Sequence, residues 1–379
     1  MSELTSMFNK IKEISMIGFA DIIGSVIAAS FWFYLAILID VEKYGELNYL
    51  LSFAQMASGF ALLGATNTII VYSAKNVKIH ATLYFLSLLA GIVAAVIVFF
   101  TINDIYTSFL ILGYLAFSMA YSDLLGKKLF KKYTIFILTQ KSLMVVLSLG
   151  FYFILDIQGI ILGMVIAHFL GLYRIIIGFR DSKIDIKLLK DRWKFVFSNI
   201  FNTVTASLSG TADRIIIGNL FGFALLGNYS LGLQFITMMS IIPVIFSKFL
   251  IPKDSKGEDT KKIKRILIII SIIISGLGFF VGPEVISIFF SKFNEADNIL
   301  RIVSLSIIPS TIALTYHTKF LGAEKSFYVL ITGIIKTAVL IIMIILLGSL
   351  YKIEGIAIAI VLASIADMTY SFLMSKRIV

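Results

Sequence analysis

Two lysines lie deep within long apolar stretches of this 379-residue sequence. Lys141 and Lys336 each come about eight or nine residues after the start of such a stretch, roughly 12 to 14 Å along a helix. An ionised side chain at that depth in a bilayer costs about 2.5 kcal/mol or more, so it indicates a partner or a water-filled site. Two such cations suit a diphosphate or an acidic sugar. The alternatives are neutralisation by an acidic neighbour and snorkelling to the inner surface.

A second set of polar residues has helical spacing. Asn199, Asn202, Ser209 and Asp213 are separated by 3, 7 and 4 residues, which places them on one helical face. Asparagine amides bind sugar hydroxyls, and a carboxylate such as Asp213 binds a proton or a sodium ion. Arg214 follows directly, so a local ion pair is the alternative for Asp213.

Three further ionisable residues are embedded in apolar stretches. Asp21 lies close to small residues that either allow close helix packing or leave room for a substrate, and pairing with a nearby lysine is its alternative. His168 could relay protons, against a hydrogen-bonded packing role. Arg301 fits either an outer gate or simple exposure at the interface.

The stretches that carry these residues are membrane-spanning in length and composition. Hydrophobic residues make up 59% of the chain and charged residues 15%, which is too apolar for a soluble core of this size. A span needs roughly 20 apolar residues, and twelve such stretches are predicted. Their limits are 16–39, 49–72, 81–101, 106–126, 133–155, 157–178, 195–219, 227–250, 264–282, 299–321, 327–349 and 353–374. The stretch 195–219 contains Asp213 and Arg214, so eleven spans is the alternative count.

Lysine and arginine alternate between successive loops. With a cytoplasmic N-terminus, 25 of the 33 basic residues fall in inner segments and three in outer ones, which are Lys43, Lys292 and Lys352. Such a bias predicts an even number of spans and both termini in the cytoplasm. It also explains the net charge of +11 without nucleic acid as a partner.

The chain divides into two halves of six predicted spans. A basic cytoplasmic linker, 179–194, separates an N-lobe at 1–178 from a C-lobe at 195–379. Residues 44–53 align with 226–235, and Lys141 and Lys336 precede Gly159 and Gly355 by 18 and 19 residues. The predicted fold is therefore all-α, with two six-helix lobes related by a parallel repeat around a central cavity.

Several chemistries are absent from the sequence. The chain has no cysteine, no G-x-x-x-x-G-K-[ST] phosphate loop and no H-E-x-x-H pair. It also has no large polar loop that could hold a glycosyltransferase site. The expectation is a protein that is not an enzyme and needs no metal or cofactor.

Three segments resemble the polysaccharide-export branch, which includes the O-antigen flippases, of the multidrug/oligosaccharidyl-lipid/polysaccharide flippase superfamily. They are YGELNYLLSFAQ after the first span, ADRIIIGNLFGFALLGNYSLG at 212–232 and IEGIAIAIVLA at the last span. The resemblance implies two lobes that open alternately to each side of the cell membrane. It also implies a polyprenyl-diphosphate-linked glycan as substrate and glycan-assembly enzymes as partners.

Other functions stay open at this stage. A cation-coupled multidrug exporter of the same superfamily is the nearest alternative, although two embedded lysines do not suit cationic drugs. A membrane scaffold would not need buried charges at matched depth, and an integral-membrane glycosyl-transfer enzyme would need a catalytic carboxylate at a water-filled entrance.

Overall fold

The computed structural model describes the backbone of residues 2–378 and the side chains of residue 16 and residues 18–377. Lys10 and Lys12, in the first predicted inner segment, lie outside the described side chains. The backbone is helical almost throughout its described length, with no strand between residues 2 and 378. In lipid the backbone polar groups must bond within their own segment, which long apolar sequences with few prolines achieve as helices.

Sixteen helices follow one another along the described chain. The first eight are α1 (Ser2–Leu38), α2 (Val41–Ala61), α3 (Ala65–Ala74), α4 (His80–Ile102), α5 (Ile105–Gly126), α6 (Phe130–Phe169), α7 (Leu172–Asp181) and α8 (Ile186–Lys190). The next eight are α9 (Trp193–Phe221), α10 (Phe223–Met239), α11 (Ile241–Ser255), α12 (Lys261–Phe280), α13 (Gly282–Phe289), α14 (Ala296–Ser304), α15 (Ile307–Gly322) and α16 (Ser326–Ile378).

The two longest helical stretches, α6 and α16, are hairpins. Asp156 (φ 56°, ψ −136°) interrupts α6, and Lys352 (φ 49°, ψ −124°) interrupts α16. The Ser148 hydroxyl donates to the carbonyl of Ile160 at 3.0 Å. Twelve residues of straight helix would separate these positions by about 18 Å. The chain therefore folds back on itself at the turn.

Backbone contacts give the register of each hairpin. In α6 a Cβ added to Gly159 would meet the carbonyl of Phe151, and in α16 a Cβ added to Gly355 would meet the carbonyl of Leu347. Both members of the second pair lie 196 residues after their counterparts, so the hairpins superpose at one offset. The predicted internal repeat is therefore present in the two hairpins, down to equivalent backbone contacts.

This register corrects one expectation. Under the hairpin offset Lys336 corresponds to Gln140, and Lys141 corresponds to Thr337. The two lysines are therefore one position apart rather than repeat partners. A match based on residue type tolerates the difference between separations of 18 and 19 residues, whereas packed backbones do not.

The membrane crossings follow from these elements. Six of the described helices are long and apolar enough to cross a membrane, and three bent helix pairs bring the number to nine. Two of the six cover 52 residues each, at Phe130–Asp181 and Ser326–Arg377. At 1.5 Å per residue each is about 78 Å long, over twice the ~30 Å hydrocarbon core. Each hairpin therefore supplies two crossings.

The seventh predicted span is a single helix, α9, of 29 residues. It is long enough to cross but too polar to count among the apolar helices. With α9 and the folded hairpins included, the segments agree with the predicted count of about twelve. The predicted fold class, an all-α polytopic membrane protein, is confirmed.

Two compact units make up the chain. Unit 1 contains Met1–Phe31 and Leu50–Ser207, and unit 2 contains Trp32–Tyr49 and Leu208–Val379. Helices α1, α2 and α9 each contribute residues to both units. The division at the basic linker 179–194 stays a prediction. Within that linker Leu189 is buried in the apolar core of unit 1.

A symmetric helix contact inside unit 2 supports the predicted alignment of 44–53 with 226–235. That alignment pairs Gly45 on α2 with Gly227 on α10. A Cβ on Gly45 would meet the carbonyl of Phe223, and a Cβ on Gly227 would meet the carbonyl of Val41. Both pairs match at an offset of 182 residues. Two equivalent helix starts therefore pack on each other through equivalent atoms.

Candidate functional site

Lys141 lies on the first arm of the α6 hairpin in unit 1. Its stem packs against α1, where a Cβ on Gly24 would lie 3.7 Å from the lysine Cγ and 3.3 Å from Cγ2 of Ile137. The missing side chain at Gly24 leaves room for the stem. Within the described part of the chain, the half-buried Lys141 has no ion-pair or hydrogen-bond partner. It is a cation without a neutralising carboxylate.

The neighbouring residue, Gln140, points to the second arm of the same hairpin. Its amide nitrogen lies 3.3 Å from Nε2 of His168, and Nδ1 of His168 lies 2.7 Å from the carbonyl of Met164. The carbonyl only accepts, so Nδ1 carries the proton and Nε2 accepts from the amide. Tyr114 and Phe117 place their rings edge-on to the imidazole. This is the packed, hydrogen-bonded arrangement of the alternative, and a proton relay at His168 stays a prediction.

Asp21 lies on α1 in unit 1. Its Oδ1 accepts a hydrogen bond from the hydroxyl of Tyr133 at 2.9 Å, and its carbonyl accepts from Ser25 at 2.7 Å. Among the described residues its carboxylate is bonded to a tyrosine rather than to a lysine. A role in contacting substrate stays a prediction.

The polar residues of α9 do not gather at one site. In unit 1, Asn199 is buried against Gly64 and its amide donates to the carbonyl of Phe195 at 2.9 Å, while Asn202 is exposed. In unit 2, Ser209 is exposed and bonded to the hydroxyl of Thr337. The helical spacing predicts a common face, whereas in the structure each residue has its own neighbours. Binding of sugar hydroxyls by these residues stays a prediction.

Asp213 is buried within unit 2. Its Oδ2 accepts a short hydrogen bond from the hydroxyl of Tyr229, and its Oδ1 has no hydrogen-bond partner among the described residues. The carboxylate is therefore bonded to Tyr229 and not to the adjacent Arg214, whose buried Nε also lacks a partner in the described chain. An ion-coupling role for Asp213 stays a prediction, and so does a gate role for Arg214.

Arg301 lies on α14 in unit 2, with an exposed side chain. Its guanidinium lies 5.8 Å from the centre of the Phe279 ring, a cation–π distance. A role as an outer gate stays a prediction.

The surroundings of Lys336 differ from those of Lys141. The Lys336 ammonium lies 3.9 Å from Oδ2 of Asp367, on the opposite arm of the α16 hairpin. The other carboxylate oxygen, Oδ1, lies 3.0 Å from Nε2 of His317 on α15. Hydroxyls of Thr332 and Ser371 lie 3.2 Å from the same nitrogen. We call His317, Asp367 and Lys336 the unit 2 triad.

His317 and Asp367 are not among the candidate residues that the sequence analysis singles out. A signal for the cluster was nevertheless present. Thr332 and Lys336 are four residues apart, as are Asp367 and Ser371, and a helix places such pairs on one face. Two polar faces on neighbouring apolar helices indicate a mutual contact.

Two embedded ions of unit 1, Asp123 and Arg174, pair with one another. The guanidinium of Arg174 donates to the fully buried Asp123 carboxylate, at 2.9 Å from Nε and by a second, shorter bond. Lys127 lies 3.1 Å and His80 3.4 Å from the other oxygen of Asp123. This network ties α4, α5 and α7 together. Both oxygens of its carboxylate lie within ion-pair distance of local basic groups.

The chain resembles known proteins in both family and fold. Residues 11–253 match the family described as "Polysaccharide biosynthesis protein". No curated protein matches the sequence. Solved structures match over nearly the whole chain at low sequence identity, so they show a shared fold.

Three of these structures are transporters or flippases. An inward-facing multidrug resistance MATE family transporter of the MOP superfamily is 13% identical with a TM-score of 0.75, covering 93% of this chain and 94% of its own. The lipid II flippase MurJ in an inward closed conformation is 16% identical with a TM-score of 0.72, covering 95% and 87%. A MOP superfamily transporter from Pyrococcus furiosus, noted for reverse polarity of its binding pocket, is 15% identical with a TM-score of 0.65, covering 97% and 95%.

The family match covers well over half of the sequence. It includes α2, α6, α9 and most of α1, which carry most of the residues described above. The chain is a multi-pass membrane protein that has the fold of MOP superfamily transporters, and it belongs to the polysaccharide biosynthesis protein family.

Proposed function

We propose that this protein is a flippase for a lipid-linked glycan. It moves a lipid-linked oligosaccharide or polysaccharide repeat unit from the cytoplasmic to the outer face of the cell membrane by alternating access. The family match and the fold shared with the lipid II flippase support this proposal. In this proposal the protein moves the glycan and does not catalyse glycosyl transfer.

The observation that carries the substrate class is Lys141. A lysine inside an apolar helix, without a carboxylate partner among the described residues, is costly unless it meets an anion or water. The diphosphate of a polyprenyl-linked glycan is such an anion. Lys336 supplies a second cation that Asp367 partly neutralises. Asn202 and Ser209, which are exposed on α9, would contact sugar hydroxyls.

Deletion of the gene followed by analysis of lipid-linked glycans tests this function. The lipid-linked intermediate should accumulate on the cytoplasmic face, and the wild-type chain should restore delivery to the outer face. Delivery that continues unchanged without the gene would reject the proposal. In the same cells, reporters fused to each terminus of the protein test whether both ends lie in the cytoplasm, as proposed.

A cation-coupled multidrug exporter is the second candidate, because the MATE transporter shares the fold with a TM-score of 0.75. That function predicts resistance to cationic dyes and drugs when the chain is overproduced. Drug resistance together with normal glycan delivery in the deletion strain would favour the exporter.

A further inference from the structure

The unit 2 triad joins a titratable imidazole to a lysine of the proposed anion site. His317 and Lys336 contact opposite oxygens of one carboxylate, at 3.0 Å from Oδ1 and 3.9 Å from Oδ2 of Asp367. Asp367 is buried, whereas the Lys336 side chain is 39% exposed. A change in the charge of His317 therefore changes how strongly Asp367 attracts Lys336, and the reverse also holds.

The hydrogen bonds define which nitrogen is free to titrate. Nε2 of His317 faces the Asp367 carboxylate, which only accepts, so Nε2 carries a proton in the neutral ring. A second proton would bind at Nδ1, which makes no hydrogen bond among the described residues. Imidazole is the side chain that ordinarily changes its charge between about pH 5 and pH 8.

The carboxylate on α11 that bonds to α15 is already paired with a lysine on α12. On α11 and α12, Lys264 donates to Oδ2 of Asp254 at 2.8 Å, and Thr318, the residue after His317, donates to the same oxygen at 2.8 Å. From the two arms of α16, the charged groups that face His317 are Asp367 and Lys336. Asp254 is therefore engaged elsewhere, and the carboxylate that contacts the imidazole is that of Asp367.

We propose that the unit 2 triad is a proton-linked anion site. When Nδ1 of His317 takes a proton from water, Asp367 gains an imidazolium partner and its hold on Lys336 weakens. The ammonium is then available to an anionic group such as a phosphate. By linkage the effect is reciprocal, since an anion on Lys336 favours the protonated form of His317. This inference rests on the proposed function, because the phosphate is that of the lipid-linked substrate.

The titration of His317 tests the linkage directly. The chain contains three histidines, so the full-length protein labelled on imidazole nitrogen in phosphatidylcholine nanodiscs gives few signals, and His317→Gln assigns one of them. Sulfate is a suitable probe because its charge stays constant across the titration, with chloride at equal ionic strength as the reference. Pyrophosphate serves as a second probe that resembles the diphosphate.

Sulfate should move the midpoint of the His317 titration upward by about half a pH unit, which corresponds to a roughly threefold coupling. Lys336→Met should abolish this shift, and Lys325→Met, at an exposed position outside the triad, should leave it in place. A midpoint that neither probe moves in the wild-type protein overturns the proposal, whether or not the variants fold. A shift that persists in a folded Lys336→Met protein overturns it as well.

Failure of this inference is separable from failure of the proposed function. Delivery of the lipid-linked glycan to the outer face is scored in cells with the wild-type chain. Normal delivery with an anion-insensitive His317 rejects the linkage alone. Absence of any role in delivery rejects the flippase itself.

Discussion

Lys141 in unit 1 and Lys336 in unit 2 lie on hairpins with the same backbone register but face different surroundings. Lys336 meets Asp367 across its own hairpin, and its register equivalent, Gln140, likewise faces the second arm through His168. Lys141 lies one residue further on, where a helix turns the side chain by about 100°. It therefore packs on α1, just as its own equivalent, Thr337, bonds to α9.

This difference teaches that one position of register decides how a buried cation is compensated. A lysine that faces the second arm of the α16 hairpin meets a carboxylate. A lysine that faces the first helix of unit 1 meets a glycine and apolar groups. The same residue type is thus held by an ion pair in one unit and left for a ligand in the other.

The largest expected effect comes from moving the unit 1 lysine back by one position, so that it takes the register of Lys336. The double change Gln140→Lys with Lys141→Thr places the charge at a fully buried site beside His168, where the described residues offer no carboxylate. An uncompensated buried charge costs about 3 to 5 kcal/mol. Chemical unfolding in mixed micelles should show a loss of stability of that order.

The matched control makes the reverse move in unit 2. Lys336→Gln with Thr337→Lys places the lysine at a half-buried position next to Ser209, and its loss of stability should stay below about 1 kcal/mol. Equal losses for the two double variants would show that register does not determine how the charge is compensated.

Lys141→Met tests whether the unpaired cation carries the anion. Methionine keeps most of the volume and removes the charge, so outer-face delivery of lipid-linked glycan should fall about tenfold or more, as expected for loss of a charge-assisted bond. Lys141→Arg should retain most of the delivery. Lys336→Met should lower delivery only about two- to threefold, because Asp367 already neutralises part of that charge. Full delivery by Lys141→Met would remove this lysine from the mechanism.

Asp367→Asn makes the unit 2 lysine resemble the unit 1 lysine. The amide oxygen still accepts from His317, while the partner charge of Lys336 is lost. A partly exposed ion pair contributes at most about 1 kcal/mol, so sulfate should bind about fivefold more tightly to the variant. Calorimetric titration of the purified protein measures this change. Affinity that stays constant or falls would mean that Asp367 does not restrain Lys336.

The sequence predicted the fold well for identifiable reasons. Hydropathy depends on about 20 residues at a time, so the twelve stretches survive small errors in their limits. The glycines were informative because Gly45, Gly159, Gly227 and Gly355 all lie where a Cβ would meet backbone. Such contacts tie residue type to geometry, so aligning these glycines recovered the true repeat.

The site was less predictable because it depends on side-chain direction across helices. Helical spacing placed Asn199 and Asp213 on one face, yet the first packs on Gly64 and the second bonds to Tyr229. Which neighbour each residue meets depends on residues far away in the sequence. The same limit hid the contact of Lys336 with Asp367, since periodicity on one helix does not report the register of the next.

The smallest expected effect concerns the two hairpin turns. Lys352 has φ 49° and ψ −124°, a conformation that glycine adopts freely and other residues adopt at a cost. Lys352→Gly should therefore stabilise the protein by roughly 1 kcal/mol in thermal or chemical unfolding. Lys352→Ala, which removes the exposed side chain but keeps the Cβ, should give no such gain. Asp156→Gly should gain less, because aspartate adopts a positive φ more readily than lysine does. A gain for alanine equal to that for glycine would assign the effect to the lysine charge rather than to the backbone.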